Sequence, residues 1–253
     1  MMDDEFLDQL RNEAIDTVED KLGTLNTAID SAIEGSLTGA DLNAALKIEA
    51  RSLKSAVSSF DMKALAAVCH RFEDYIFDIK EFTPDILKSV QIYSDRMSDC
   101  LEAFVQGRAI DISLLVRELP AKREGFEVSD VTVTDIEVML VMEPGLATKI
   151  VTTELLECGY RIINVASTMD AIQLIPSMRP DMVIVNRVMP ELTGIDLVCA
   201  LKAMPTTRDI PVALIASADR ENLEDLPANV PVLRKGNLFG EDVADVFVQL
   251  GIL

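Results

Sequence analysis

Residues 179–194 read Arg179-Pro180-Asp181-Met182-Val183-Ile184-Val185-Asn186-Arg187-Val188-Met189-Pro190-Glu191-Leu192-Thr193-Gly194. The apolar run 182–185 is bounded by Pro180-Asp181 before it and Asn186-Arg187 after it. A run this short, without polar alternation, reads as a strand buried on both faces. The same texture recurs at Val138–Val141, Arg161–Val165, Val212–Ile215 and Val230–Leu233. Helical patterns lie between these runs, near 146–158, 168–176, 192–204 and 238–250. Strands alternating with helices predict an α/β domain over 133–253, with a five-stranded, parallel, doubly wound sheet. In such a sheet the functional crevice opens at the carboxyl ends of the strands. The last residue of each strand and the first ones after it are therefore where chemistry is expected.

Upstream of about residue 130 the pattern is helical. Leu7, Leu10, Ala14, Val18, Leu22, Leu25, Ile29 and Ile33 recur at spacings of three and four, one apolar stripe on a long amphipathic helix. Gly35 and Gly39 break it, and Asp41 is the expected N-cap of a second helix carrying Leu42, Leu46, Leu53, Val57 and Phe60. Asp61 is the expected cap of a third, with Leu65, Val68, Phe72, Ile76 and Ile79 as its stripe. Thr83-Pro84 opens a fourth, with Pro at the first helical position. Four helices with short connections predict an antiparallel four-helix bundle over 1–104. Residues 105–132 join the two domains. Ile110, Ile112, Leu114, Leu115, Val116 and Leu119 make this linker too apolar to be free, and predict a short helix at 111–119 packed on a domain or a partner.

The bulk composition, 49% hydrophobic and 26% charged, is that of globular domains. There is no Trp, so the cores rest on aliphatic side chains. The 43 acidic residues against 23 basic ones give a formal net charge of −20. That charge repels nucleic acid and anionic membranes, so neither is an expected partner. Cys69, Cys100, Cys158 and Cys199 are far apart and form no CxxC pair. They read as buried free thiols of a reducing cytosol, and no metal or other cofactor is expected. The acidic start Met1-Met2-Asp3-Asp4-Glu5 lacks the apolar core of a signal peptide, and no apolar run reaches membrane-span length. A cytoplasmic location is the expectation.

Two helical motifs carry chemistry in the first half: Ala50-Arg51-Ser52-Leu53-Lys54-Ser55-Ala56 and His70-Arg71-Phe72-Glu73-Asp74. Together they resemble histidine-phosphotransfer (Hpt) domains of the chemotaxis-kinase type, over about residues 5–103. In that family a histidine on the second helix takes up a phosphoryl group. A lysine three residues on stabilises the phosphate, and a glutamate on the third helix orients the imidazole. The resemblance puts Lys54 and Glu73 in the last two roles and Arg51 at the acceptor position. A guanidinium stays protonated at neutral pH and has no lone pair with which to attack phosphorus. Ser55 stands where the family has Gly, adding bulk beside the site. Arg51 and Glu73 are expected to form an interhelical ion pair, contributing about 0–1 kcal/mol if exposed. His70, the only histidine, falls at an accessory position of the family and is expected to be neutral and partly packed.

The stretch 179–194, with Thr207-Arg208-Asp209-Ile210-Pro211-Val212 and Leu233-Arg234-Lys235, resembles response-regulator receiver (CheY-like) domains over nearly all of 136–253. Receivers use an Asp ending the third strand as nucleophile and two acids after the first strand to help hold Mg²⁺. A Thr or Ser ends the fourth strand and a Lys the fifth. Carried over, these positions hold Asn186, then Met142 and Glu143, then Ala216 with Ser217 beside it, then Lys235. An amide is a poor nucleophile. Mg²⁺ prefers hard oxygen ligands, carboxylates above all, and without metal the charge on a transferring phosphoryl group goes unscreened. The switch positions implied by the resemblance hold Ala216 and Val232. The segment between Ala216 and Lys235, with Pro227 and Pro231, is short and predicts a fourth helix of one or two turns at most. Glu143 and Lys235 are expected to pair at the carboxyl edge of the sheet.

The leading functional reading is a non-catalytic two-component adaptor or regulator, phosphorylated at neither Arg51 nor Asn186. Its expected partners are histidine kinase, phosphotransferase or response-regulator domains, or a second copy of itself. Two alternatives belong to other classes: an active phosphotransfer protein using His70, and a sensor binding a small anion or nucleotide near Met142, Asn186 and Lys235. Without a Gly-rich phosphate loop the sensor reading has little support.

Overall fold

A computed structural model describes residues 2–58, 60–121, 134–217, 220–236 and 239–252. The chain divides into two units, Met1–Pro120 and Ala121–Leu253. Of the expected linker, residues 122–132 lie outside the described residues. Among those described, no helix is long and apolar enough to cross a membrane.

The first unit is helical, with α1 Met2–Ile33, α2 Gly39–Ser58, α3 Lys63–Ile76, α4 Pro84–Val105 and α5 Ile112–Glu118. Each long helix packs on the next, and α1 closes on α4. Val18, Leu22, Leu25 and Ile29 of α1 are buried as the spacing requires, whereas Leu7 and Ile33, at the ends of the same stripe, are exposed. Phe72, Tyr75 and Tyr93 form an aromatic knot with ring centroids 5.5 and 5.2 Å apart. The Tyr93 hydroxyl donates to the Pro120 carbonyl at 2.7 Å, tying in the chain beyond α5. The short helix α5 packs on α3 and buries Leu115, Val116 and Leu119. Each such burial is worth about 1.5–3 kcal/mol gross, enough to fix a helix too short to persist alone.

Capping departs from the sequence expectation at two helices. Asp41 lies in the first turn of α2 rather than ahead of it, where it still complements the helix dipole. Asp61 does not cap α3: the residue before that helix is Met62, without a side-chain cap. Met62 is 2% exposed, so burial of its side chain sets how the chain enters α3. Asp61 instead pairs with Lys63 at 3.3 Å in solvent. At α4 the expectation holds: Thr83 is the N-cap, its hydroxyl accepting from Ile86 N–H, with Pro84 next.

The second unit contains β1 Glu137–Val141, α6 Leu146–Glu157, β2 Arg161–Val165, α7 Thr168–Met178, β3 Met182–Asn186, α8 Gly194–Ala203, β4 Val212–Ala216, β5 Val232–Arg234 and α9 Phe239–Gln249. The sheet is parallel, in the order β2-β1-β3-β4-β5. Every residue of β1, β3 and β4 is buried, the condition that made them readable as unbroken apolar runs. Helices α6 and α9 pack together, as do α7 and α8. Tyr160 stacks on Phe247 of α9 at 4.5 Å.

Strand β5 starts two residues later than the apolar run at 230 suggests. Pro231 has no N–H to give to a ladder, and the Val230 N–H is already donated to Pro227 O at 3.0 Å. Between β4 and β5 the described residues hold one 3₁₀ turn, Arg220–Asn222, in place of a longer helix. The thiols also divide. Cys69 and Cys100 are buried, but Cys158 and Cys199 are exposed. Cys158 is the C-cap of α6, in the turn that leads into β2, and Cys199 lies on the outward side of α8. Burial pushes the Cys100 thiol up to about 12 and the Cys69 thiol well above its ordinary range, so both stay protonated and inert.

Candidate functional site

The residues singled out from sequence lie in two groups, one in each unit. In the bundle, α2 contributes Arg51 and Lys54 and α3 contributes Glu73. A spacing of three along a helix puts Arg51 and Lys54 on one side, and both reach the same carboxylate. Arg51 Nε lies 3.7 Å from Glu73 Oε1, and Lys54 Nζ lies 3.3 Å from Glu73 Oε2. The Arg51 side chain is 71% exposed, which limits that pair to about 0–1 kcal/mol. Ser55 is exposed one turn beyond Arg51. His70 is not part of the open surface: it is 6% exposed within α3. Sequence reasoning missed Lys21, which reaches from α1 to the Ser52 hydroxyl. No local pattern links those positions.

In the second unit the carboxyl ends of the strands bring Met142, Asn186, Ala216 and Lys235 to one sheet edge, with Glu143 next to Met142. Met142 is 5% exposed, and its N–H donates to Val165 O at 2.9 Å. Glu143 is exposed, and its carbonyl accepts from the Thr148 hydroxyl. Asn186 is 7% exposed. Its Nδ2 donates to Val188 O at 2.6 Å, which fixes the orientation of the amide. Its Oδ1 is buried and has no hydrogen-bond partner among the described residues. Ala216 is buried, and its carbonyl accepts from Lys235 N–H at 3.4 Å. Lys235 is exposed and is followed by Gly236 at φ 110°. The expected Glu143–Lys235 ion pair is not formed: among the described residues no salt bridge includes either side chain. Both are solvated, and an exposed pair would gain too little to hold two long side chains together.

The donor set at this edge is one carboxylate, one amide and one thioether. A hard dication such as Mg²⁺ is poorly served by it. Among the described residues, no group of three or more His, Cys, Asp or Glu side chains is placed to hold a metal.

The surroundings of the edge are tightly built. Gly194 N–H donates to Arg187 O at 2.9 Å, and a Cβ at Gly194 would lie 2.2 Å from Asn186 O. Thr193 and Asp196 form a reciprocal capping box at the start of α8. The Thr193 hydroxyl and N–H hold the Asp196 carboxyl below its ordinary range. Ser167, the N-cap of α7, donates to Glu191 at 2.6 Å, and Thr168 Oγ1 accepts from Leu192 N–H. Two arginines that the sequence reading passed over fix the far side. Arg220 donates to the carbonyls of Leu226, Pro227 and Val230. Arg234 holds Asp242 bidentately, at 2.6 and 2.9 Å, and gives it the backbone N–H as well. These bonds hold the Asp242 carboxyl below the usual carboxylate range.

The Hpt domain family model matches residues 9–107. The two-component response regulator-like protein APRR7 of Arabidopsis thaliana is 30% identical over 93 residues, 36% of this chain and 13% of that protein. The chain thus spans a small part of the length of the curated relative it matches. Among solved structures, the receiver domain of the sensor histidine kinase PA1611 of Pseudomonas aeruginosa, with a magnesium ion coordinated in its cleft, is 18% identical. It covers 46% of this chain and 98% of that one, at a TM-score of 0.41. The receiver domain of a signal transduction histidine kinase from Syntrophus aciditrophicus is 25% identical, over 46% of this chain and 91% of that one, also at 0.41. The chemotaxis response regulator CheY4 of Vibrio cholerae is 19% identical, with 46% and 98% covered and a TM-score of 0.40. Hpt and receiver domains are phosphotransfer modules of two-component signalling. Residues 9–107 are an Hpt domain, and the strand order β2-β1-β3-β4-β5 gives the unit that follows the receiver fold.

Proposed function

We propose that this chain is a two-component signalling adaptor, binding kinase, phosphotransferase or response-regulator domains without carrying phosphate itself. The observation that carries the reading is Arg51 at the place where the Hpt family has its acceptor histidine. A permanent cation cannot be a nucleophile, and its Nε already faces Glu73. His70 is a poor substitute, because a phosphoryl donor needs in-line access to an imidazole nitrogen and this side chain is 6% exposed. The receiver-fold unit supports the same reading. Asn186 is a neutral amide engaged with Val188 O, Met142 offers sulfur where a carboxylate would be needed, and Ala216 has no hydroxyl.

Intact mass spectrometry tests it. The full chain is incubated with acetyl phosphate and Mg²⁺, and separately with a phosphorylated histidine kinase and with phosphorylated receiver domains. The expected result is an unchanged mass in all three. A gain of one phosphoryl group, mapped to any residue of either unit, overturns the reading.

A further inference from the structure

Strand β5 is an edge of the sheet, and its outer side is closed at all but one point. Its ladder to β4 uses Pro231 O, which accepts from Leu214 N–H, and Lys235 N–H, which donates to Ala216 O. Alternation along a parallel strand therefore turns the main-chain groups of Val230, Val232 and Arg234 outward. Val230 gives its N–H to Pro227 O, and its carbonyl accepts from Arg220. Arg234 N–H is taken by the Asp242 carboxylate at 2.9 Å. Between them, the Val232 N–H has no acceptor on this side among the described residues. An edge stopped on both sides of a single residue cannot take an added strand, from a partner or from a second copy. It can take a small molecule.

A cavity of about 400 Å³ lies against this residue, lined by Arg220, Asn229, Val232, Arg234, Val246 and Gln249 among others. Small-molecule sites span about 300–1,000 Å³, so this one has room for a ring-sized body. The described part of the β4–β5 segment holds one 3₁₀ turn and no longer helix, which leaves this side of β5 uncovered. Val230, Val232 and Val246 supply apolar wall, and the exposed Asn229 and Gln249 supply carboxamides. None of the lining residues is acidic, in a chain of net charge −20. Glu221, Glu224 and Asp225, on the same segment, are exposed and do not line it.

Arg220 gives the cavity its charge. It is half-buried, and the carbonyls of Leu226, Pro227 and Val230 grip its two Nη groups. Carbonyls fix a guanidinium in place without neutralising it. Among the described residues Arg220 has no ion-pair partner, and its Nε–H has no acceptor. A fixed, partly desolvated cation beside an open main-chain N–H favours an anion. Arg234 differs, because Asp242 already meets its charge at 2.6 Å. It shapes the wall, and Arg220 is the charge partner.

We infer that this cavity binds a small organic anion, a ring-sized apolar body bearing a carboxylate or a phosphate. Arg220 and the Val232 N–H hold the anionic group, and the valines take the body. The site uses none of the strand-end residues Met142, Glu143, Asn186, Ala216 and Lys235, and the inference does not depend on the adaptor reading.

The test titrates the isotope-labelled full chain with phenyl phosphate, benzoate, inorganic phosphate and benzyl alcohol, followed by amide chemical shifts. Phenyl phosphate or benzoate should give saturable shifts centred on 228–234 and 246–249, and the tighter of the two identifies the anionic group. Inorganic phosphate, which lacks the body, and benzyl alcohol, which lacks the charge, should each bind at least about fivefold more weakly. Arg220→Gln should weaken the organic anion at least about tenfold, the range of one charge-assisted hydrogen bond. Asn229→Asp changes only the charge of an exposed side chain and should weaken binding about fivefold. It decides the matter even where Arg220→Gln loosens the loop. Lys235→Gln should leave binding unchanged. Absence of saturable shifts with both organic anions overturns the inference. So do shifts centred on Met142, Asn186 and Lys235, equal binding of benzyl alcohol or inorganic phosphate, and binding unmoved by Asn229→Asp.

Discussion

Replacing Gly194 with Ala adds one methyl group where the fold has no room for it. The new Cβ would lie 2.2 Å from Asn186 O, 2.9 Å from Asn186 C and 3.0 Å from Arg187 Cα. Carbon and carbonyl oxygen ordinarily approach to no less than about 3.3 Å, so a gap of about 1 Å must open. All the obstructing atoms are backbone, and β3 is paired on both sides, by β1 and β4, so the strand cannot retreat. Helix α8 must move instead. Movement stretches the 2.9 Å bond from Gly194 N–H to Arg187 O and loosens Leu197, Val198 and Leu201, all 0% exposed. Overpacking of this kind costs about 1–3 kcal/mol, and a lost hydrogen bond adds about 1 kcal/mol. The better helix propensity of Ala returns under about 1 kcal/mol at so early a helical position. The net expectation is a loss of about 3 kcal/mol in the second unit and none in the bundle. Urea unfolding of the full chain, followed by hydrogen exchange, separates the two: amides of β3 and α8 should lose protection while those of α2 and α3 keep it. A second unit within about 0.5 kcal/mol of the parent, the range of an ordinary surface change, would refute the steric account of this glycine.

Two further outcomes follow from polar contacts of the receiver-fold unit. Arg220→Ala leaves the carbonyls of Leu226, Pro227 and Val230 without their donor and should destabilise the unit by about 2 kcal/mol. Amide exchange over 223–230 should quicken, and unchanged exchange there would count against Arg220 as the residue that fixes the loop. Asp242→Asn should cost about 1–2 kcal/mol at neutral pH, at the lower end because the Arg234 side chain is 53% exposed. The folded-state pKa of Asp242 is depressed, so the stability it contributes is fully present above the unfolded carboxyl value of about 4. It is lost as pH falls through the folded value. Urea midpoints at neutral and acid pH should therefore converge for parent and variant on acidification, and a deficit that ignores pH would refute the pair.

The α/β architecture was legible because parallel strands are buried on both faces, so 138–141, 182–185 and 212–215 stand out without any alternation to decode. The helical stripe of α1 was legible for the complementary reason, although its ends, Leu7 and Ile33, run past the bundle and are exposed. What failed was decided by single groups rather than by periodicity. The missing N–H of Pro231 delays β5, and burial of Met62 displaces Asp61 from the cap of α3. Cys158 leaves the core because it caps α6. Arg51, Lys54 and Glu73 could be brought together from sequence because the resemblance to Hpt domains pairs those positions across the second and third helices. Lys21 on Ser52, Arg220 on three carbonyls and Arg234 on Asp242 could not. Those contacts depend on where a long side chain ends, which no repeat in the sequence encodes.

The positions that match the two family motifs and those that depart from them do different work. Gly194 lets β3 and α8 approach, and Thr193 with Asp196 starts α8. Lys54 and Glu73 lie across the α2–α3 interface, and these positions set shape. The resemblance puts Arg51, Asn186, Met142 and Ala216 where phosphate or its metal would be handled. A fixed cation, an amide, a thioether and a methyl group are each the wrong chemistry for handling either. A single such change could be bypassed by a neighbour. On the proposed reading the four act together, with the only histidine 6% exposed. Shape without transfer chemistry is what an adaptor needs, because its effect depends on which surfaces it occupies.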